Sequence, residues 1–107
     1  MKGEIQMYSI VIPCYKSAET IGTVVSETAA EMDRIGRGDY EFVLVNDCSP
    51  DQGATIRKLK ELASEKEYVK VIDLAKNSGQ HNAMMAGLRA ASGDVFVSMD
   101  DDMQTRP

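Results

Sequence analysis

Glu41-Phe42-Val43-Leu44-Val45-Asn46-Asp47-Cys48-Ser49-Pro50-Asp51 divides into a nearly continuous apolar run, residues 41 to 46, and a polar cluster that opens at Asp47. A short apolar, β-branched run closed by turn-forming residues predicts a buried strand running into a loop. Beyond the loop Ile56, Leu59, Leu62 and Ala63 recur at helical spacing, so the unit is strand, polar loop, amphipathic helix. A similar unit stands before it. Residues 8 to 13, Tyr-Ser-Ile-Val-Ile-Pro, form a first strand, which Pro13 is expected to end because it has no N–H for a ladder. The loop from Cys14 to Ala18 leads to Ile21, Val24, Val25, Met32 and Ile35 at helical spacing. Ser17 is the candidate cap of that helix, Glu19 suits its first turn, and Gly36 and Gly38 stop it. Downstream, residues 69 to 74 make a third strand and Asn77-Ser78-Gly79-Gln80-His81 a polar loop. Met84, Gly87, Leu88 and Ala91 mark a third helix, and Ser92-Gly93 turns the chain into a fourth strand, 94 to 99.

Strict alternation of strand and helix implies right-handed crossovers and an α/β fold, a mainly parallel, Rossmann-like sheet with helices on both faces. A chain of 107 residues has room for one such domain. In a parallel sheet the strands end on one edge, so Pro13, Asp47, the Asn77 loop and Asp100 are expected to face one crevice. Gly79, Ala83 and Gly87, small at four-residue intervals, are assigned to close packing of the third helix on the sheet.

The crevice residues suggest a chemistry. Asp100, Asp101 and Asp102 are consecutive carboxylates at a strand end, where like charges repel and raise one another's proton affinity unless a cation or strong donors hold them ionised. Mg²⁺ or Mn²⁺ takes oxygen ligands of this kind, and Gln104 adds an amide oxygen; an acidic loop open to water is the plainer alternative. Neither G-x-G-x-x-G nor G-x-x-x-x-G-K-[ST] is present, so the two commonest nucleotide-phosphate loops are absent. Pro13-Cys14-Tyr15 instead offers an aromatic ring that could stack on a base, with Asp47 able to accept a hydrogen bond from a ring N–H such as uracil's. Against these stand a packed surface aromatic for Tyr15 and a helix cap for Asp47. Asp51 reads as an N-terminal helix residue. Lys76 and His81 could meet phosphate oxygens, although a lone histidine at a helix start is more often a capping or packing residue.

Composition narrows the classes. A net charge of −5 with no basic block disfavours nucleic acid as a partner. Ile10-Val11-Ile12 is far too short for a signal peptide or a membrane span, and nothing later improves on it, so these residues are expected to be soluble. Two cysteines, Cys14 and Cys48, without C-x-x-C spacing suit a reducing cytoplasm.

Four stretches in order, Val-Ile-Pro-Cys-Tyr (11 to 15), Val-Asn-Asp-Cys-Ser-Pro-Asp (45 to 51), Asn-Ser-Gly-Gln-His-Asn-Ala (77 to 83) and Met-Asp-Asp-Asp-Met-Gln (99 to 104), resemble the successive signatures of family-2 glycosyltransferases. They are most similar to the branch that transfers sugars to dolichyl or undecaprenyl phosphate, whose metal motif continues into a glutamine and two prolines. Here Gln104-Thr105-Arg106-Pro107 has Arg106 where the first proline is usual, and Lys16-Ser17 stands where the family often has Asn-Glu. The resemblance implies the nucleotide-binding half of a GT-A fold, with residues 1–107 as the donor part of a longer transferase domain cut at or after its metal motif. It implies a UDP- or GDP-sugar donor contacted by Pro13, Tyr15, Asp47, Asp100 and Asp101, and Mn²⁺ or Mg²⁺ held by Asp100, Asp102 and Gln104. It further implies inverting transfer to a lipid phosphate or a glycan. Any general base would lie past Pro107, and contact with the membrane, at its cytoplasmic face, would come through the missing part. Two rivals remain on the residues alone. A D-x-D phosphatase wants Thr or Val four residues after its first Asp, where Gln104 stands, and carries its motif on the first strand. A receiver-like binding module wants its acceptor Asp at the close of the third strand, where Leu74-Ala75 stands.

Overall fold

In the computed structural model, residues 7–36, 39–47, 50, 52–74 and 80–99 are described, and they form four strands alternating with three helices. In chain order these are β1 (Met7–Cys14), α1 (Ile21–Ile35), β2 (Asp39–Asn46), α2 (Ala54–Glu65), β3 (Val69–Asp73), α3 (Gln80–Ala90) and β4 (Val95–Ser98). All pairings are parallel, in the order β3-β2-β1-β4, so the α/β expectation holds. The alternating sides of β1 and β2 feed two separate cores. Ile10, Ile12, Phe42 and Leu44 meet Ile21, Val24 and Val25 of α1 and Leu59 and Leu62 of α2. Val11, Val43 and Val45 meet Ala83, Met84 and Leu88 of α3 on the other face. Both faces are thus covered over the central strands, which is why these strands read as unbroken apolar runs.

Helix α3 approaches unusually closely. A Cβ on Gly87 would lie 2.4 Å from Val11 Cγ1 and 3.0 Å from Val45 Cγ2, which confirms the packing role expected of this glycine. Gly36 ends α1 with φ of 65°, its N–H donating to the Met32 carbonyl at 3.0 Å.

Several local expectations are corrected. Strand β1 passes through Pro13 to Cys14 instead of stopping there. The Met99 N–H donates to the Val11 carbonyl at 3.1 Å, so Val11 faces β4, and so does Pro13 two residues on. Paired residues of β4 end at Ser98 opposite Val11, so the missing N–H of Pro13 falls where no described ladder asks for one. On its other side β1 continues unhindered, with Cys14 level with Asn46. Ser17 does not cap α1 with its side chain: Thr20 occupies the cap position, and the Ser17 carbonyl receives the N–H groups of Thr20 (3.1 Å) and Ile21 (2.9 Å). Glu19 precedes the first turn, which holds no acidic residue. Ile35 is exposed at the helix end, and on α2 Thr55 is fully buried where the spacing had favoured Ile56.

The α3 face of the sheet turns polar toward the start of the strands. Glu41, only 7% exposed, accepts hydrogen bonds at Oε2 from the Ser9 hydroxyl (2.6 Å) and the Ser92 N–H (2.7 Å), while Lys70 Nζ lies 3.2 Å from Oε1. Lys70 also donates to the Ala90 carbonyl at 2.9 Å, and the Gly93 N–H to Ser9 Oγ at 2.7 Å. Three strands and the α3–β4 connection are thereby fastened at one carboxylate. Strand β4 forms one edge of the sheet, with Phe96 51% exposed and Val97 exposed beside it, as expected for an uncovered fourth strand.

Candidate functional site

Strand order places the topological switch point between β1 and β4: the chain runs outward from β1 through β2 to β3, then returns to the other side of β1. Open parallel sheets bind ligands at this point, outside the carboxyl ends of the strands. The ends of β1, β2 and β3 are level. Cys14 pairs with Asn46, which pairs with Asp73, and the ladder closes with the Asp47 N–H on the Cys14 carbonyl (3.0 Å) and the Leu74 N–H on the Asn46 carbonyl (2.9 Å). Tyr15 and Asp47 are each the first residue past a paired strand end, on strands spaced by about 4.8 Å.

The two differ in exposure, and the difference suits different tasks. Tyr15 is 46% exposed, its ring carrying the Lys16 ammonium 5.9 Å from the centroid, so it is an open aromatic surface and not a packed one. Asp47 is 5% exposed. Helix α2 begins at Ala54 with Gly53 as its N-cap residue, six positions beyond Asp47. Pro13 stands two residues before Tyr15, within β1. The loop itself is built tightly: Lys16 takes a left-handed φ of 55°, the Tyr15 N–H donates to Ser17 Oγ at 3.0 Å, and the Ser17 N–H donates to Thr55 Oγ1 at 2.9 Å. Cys14 is buried, its thiol directed to the Ile12 carbonyl at 3.4 Å.

Asp51, Lys76, Asn77, Asp100, Asp101, Asp102, Gln104 and Cys48 lie outside the described residues, as does the side chain of His81. Among the described residues no three His, Cys, Asp or Glu side chains gather as a metal site. Met99, hydrogen-bonded to Val11, brings the chain beside β1 immediately before Asp100. Sequence reasoning missed two contributors. Thr55 stands just ahead of the apolar stripe, where the spacing does not single it out, and Asn46 reads only as the last residue of a strand. Yet Asn46 is buried and donates from Nδ2 to Asp73 Oδ1 at 2.9 Å, tying the ends of β2 and β3. The available signal was a polar side chain closing each of two neighbouring parallel strands.

With this geometry in place, the family model described as "Glycosyl transferase family 2" matches residues 9–107. The chain belongs to glycosyl transferase family 2. Among curated relatives of this family 2 chain, the undecaprenyl-phosphate 4-deoxy-4-formamido-L-arabinose transferase of Enterobacter sp. (strain 638) is 38% identical over 104 residues, 96% of this chain and 31% of its own length. The protein of the same name from Pseudomonas fluorescens (strain Pf0-1) is 41% identical over 105 residues, 96% of this chain and 30% of its own. The chain therefore spans about a third of the length of these relatives. Solved structures agree in fold. The mannosyltransferase PcManGT from Pyrobaculum calidifontis, in complex with GDP-Man and Mn²⁺, superposes with a TM-score of 0.74 at 20% identity, over 94% of this chain and 28% of its own. Residues 1-349 of S. aureus TarS give 0.68 at 27% identity, over 91% and 28%. The family 2 chain has the parallel α/β sheet of GT-A glycosyltransferases.

Proposed function

We propose that the crevice at the ends of β1 and β2 holds the nucleotide of a sugar donor, and that residues 1–107 are the donor-binding part of a polyprenyl-phosphate glycosyltransferase. The observation that carries this reading is the pairing of Tyr15, an open aromatic face, with buried Asp47, side by side at the ends of β1 and β2 and next to the switch point of a family 2 chain. Tyr15 stacks on the base, and the Asp47 carboxylate accepts a ring N–H. That carboxylate can accept the ring N–H of uracil or of guanine; UDP is the first donor to test, and the PcManGT complex with GDP-Man makes GDP the second. Asp100 and Asp101 follow Met99 in the chain toward the diphosphate, and Asp100, Asp102 and Gln104 are an all-oxygen donor set suited to Mn²⁺ or Mg²⁺. The metal, when bound, neutralises charge developing on the departing diphosphate. The acceptor is a polyprenyl phosphate, as in the names of the curated relatives, with inversion at the anomeric carbon. Such a phosphate is already anionic and attacks without a side-chain base. The longer protein works at the cytoplasmic face of the membrane that carries this lipid. No helix among the described residues is long and apolar enough to cross it.

Calorimetric titration of the chain with UDP and GDP, each in Mn²⁺ and in EDTA, tests the reading. Binding is expected only with the cation, to be lost in Asp102→Ala, and to weaken about tenfold or more in Asp47→Asn, roughly 1.4 kcal/mol, at an unchanged melting temperature. Equal affinity in EDTA would remove the metal assignment. Full affinity in Asp47→Asn would remove the base assignment, and a strong preference for GDP would reverse the choice of uracil.

A further inference from the structure

The loop that presents Tyr15 is held to the rest of the molecule from a distance. Ser17, 2% exposed, is engaged at all three of its polar groups: the carbonyl by the first turn of α1, the hydroxyl by the Tyr15 N–H, and the amide by Thr55. The first two are local bonds that shape the loop, including the left-handed turn at Lys16, a conformation a non-glycine residue holds only when its surroundings impose it. The third spans 38 positions of sequence and fixes where the shaped loop sits. Thr55 is fully buried in the first turn of α2, the helix reached through the loop that leaves Asp47. Its hydroxyl therefore joins the loop that follows β1 to the first turn of the helix that follows β2.

We infer that Thr55 is a positioning residue for the nucleotide site, setting the Tyr15 loop at its working distance from Asp47 without touching the ligand. The inference rests on the nucleotide reading above. A buried amide does not stay without an acceptor, so removing the Thr55 hydroxyl obliges the Ser17 N–H to find another partner, and the loop must shift to do so. Binding that depends on two separately carried groups is sensitive to such shifts.

The test compares Thr55→Val, which keeps the shape and removes the acceptor, with Thr55→Ser, which restores it. Val69→Ala, at the start of β3 and away from the crevice, is the stability control. Two quantities are measured: UDP affinity in Mn²⁺, and hydrogen exchange at the Ser17 and Tyr15 amides without nucleotide. Thr55→Val is expected to weaken UDP about ten- to a hundredfold and to speed exchange at Ser17. Thr55→Ser should match the parent chain, and Val69→Ala should bind normally despite a lower melting temperature. Unchanged exchange at Ser17, or an affinity loss in Val69→Ala matching that in Thr55→Val, would overturn the inference. Failure of the parent chain to bind UDP or GDP at all would instead refute the nucleotide reading, and the exchange measurement would still decide whether Thr55 holds the loop.

Discussion

Gly87→Ala should destabilise the chain by about 2–3 kcal/mol, and Gly87→Val should keep it from folding. Helix propensity argues the other way, favouring alanine over glycine by about 1 kcal/mol inside a helix, so the sign of the result decides which effect governs this position. Packing should win. The added Cβ meets Val11 and Val45, β-branched residues on the two inner strands, and both are fully buried with little freedom to turn aside. In a domain of this size the alanine variant should melt roughly 10–20 °C lower. Val11→Ala removes the methyl group in closest conflict, so Gly87→Ala introduced into Val11→Ala should cost much less than it does in the parent chain. A Gly87→Ala variant as stable as its parent would show that α3 can ride farther from the sheet.

Glu41→Ala should cost about 2–4 kcal/mol, because it strips the acceptor from the Ser9 hydroxyl and the Ser92 amide and takes away the carboxylate that Lys70 faces. Removing the cation is the milder change. Lys70 is partly exposed, and Lys70→Met should cost only about 0.5–1 kcal/mol. Burial pushes the Glu41 carboxyl up, but hydrogen bonds from Ser9, Ser92 and Lys70 and the charge of Lys70 outweigh it and hold the group below its usual value. A carboxyl whose folded pKa is depressed gives stability that is complete above its unfolded pKa, about 4.3, and is lost as pH falls through the lower folded value. Urea denaturation between pH 7 and pH 3 should therefore show a smaller acid loss in Glu41→Gln than in the parent chain. Equal acid losses in the two would assign the sensitivity to other carboxylates.

The legible parts of the fold were those that repeat along the chain. Apolar runs at 41 to 46 and 8 to 13 and the helical spacing of Val24, Val25, Leu59 and Leu62 each record a burial pattern, and burial is what hydrophobic periodicity encodes. Strict alternation of strand and helix implies parallel strands that end on one edge, so the common edge bearing Tyr15 and Asp47 follows from the sequence, whereas the order of the strands does not. What escaped was long-range and polar. Nothing near Thr55 in sequence announces that its hydroxyl receives an amide from residue 17, and nothing near Glu41 announces Ser92. Pairings of this sort depend on how layers stack, which a local window does not contain. Ser17 was misread for a related reason: a serine ahead of a helix suggests a cap, whereas here its hydroxyl serves the loop before the helix and only its carbonyl serves the helix.

Pro13 decides where the sheet opens. In the register observed, the next rung between β1 and β4 would be an N–H of residue 13 donating to the carbonyl of Met99, and proline has none to give. The end of the described ladder is therefore written into covalent structure, like a zip with one tooth left out. Repacking of the cores on either face can move helices and alter stability, yet it cannot lengthen this ladder by a residue. For the nucleotide site proposed above, this sets the end of the β1–β4 ladder at one residue by covalent structure and not by side-chain packing.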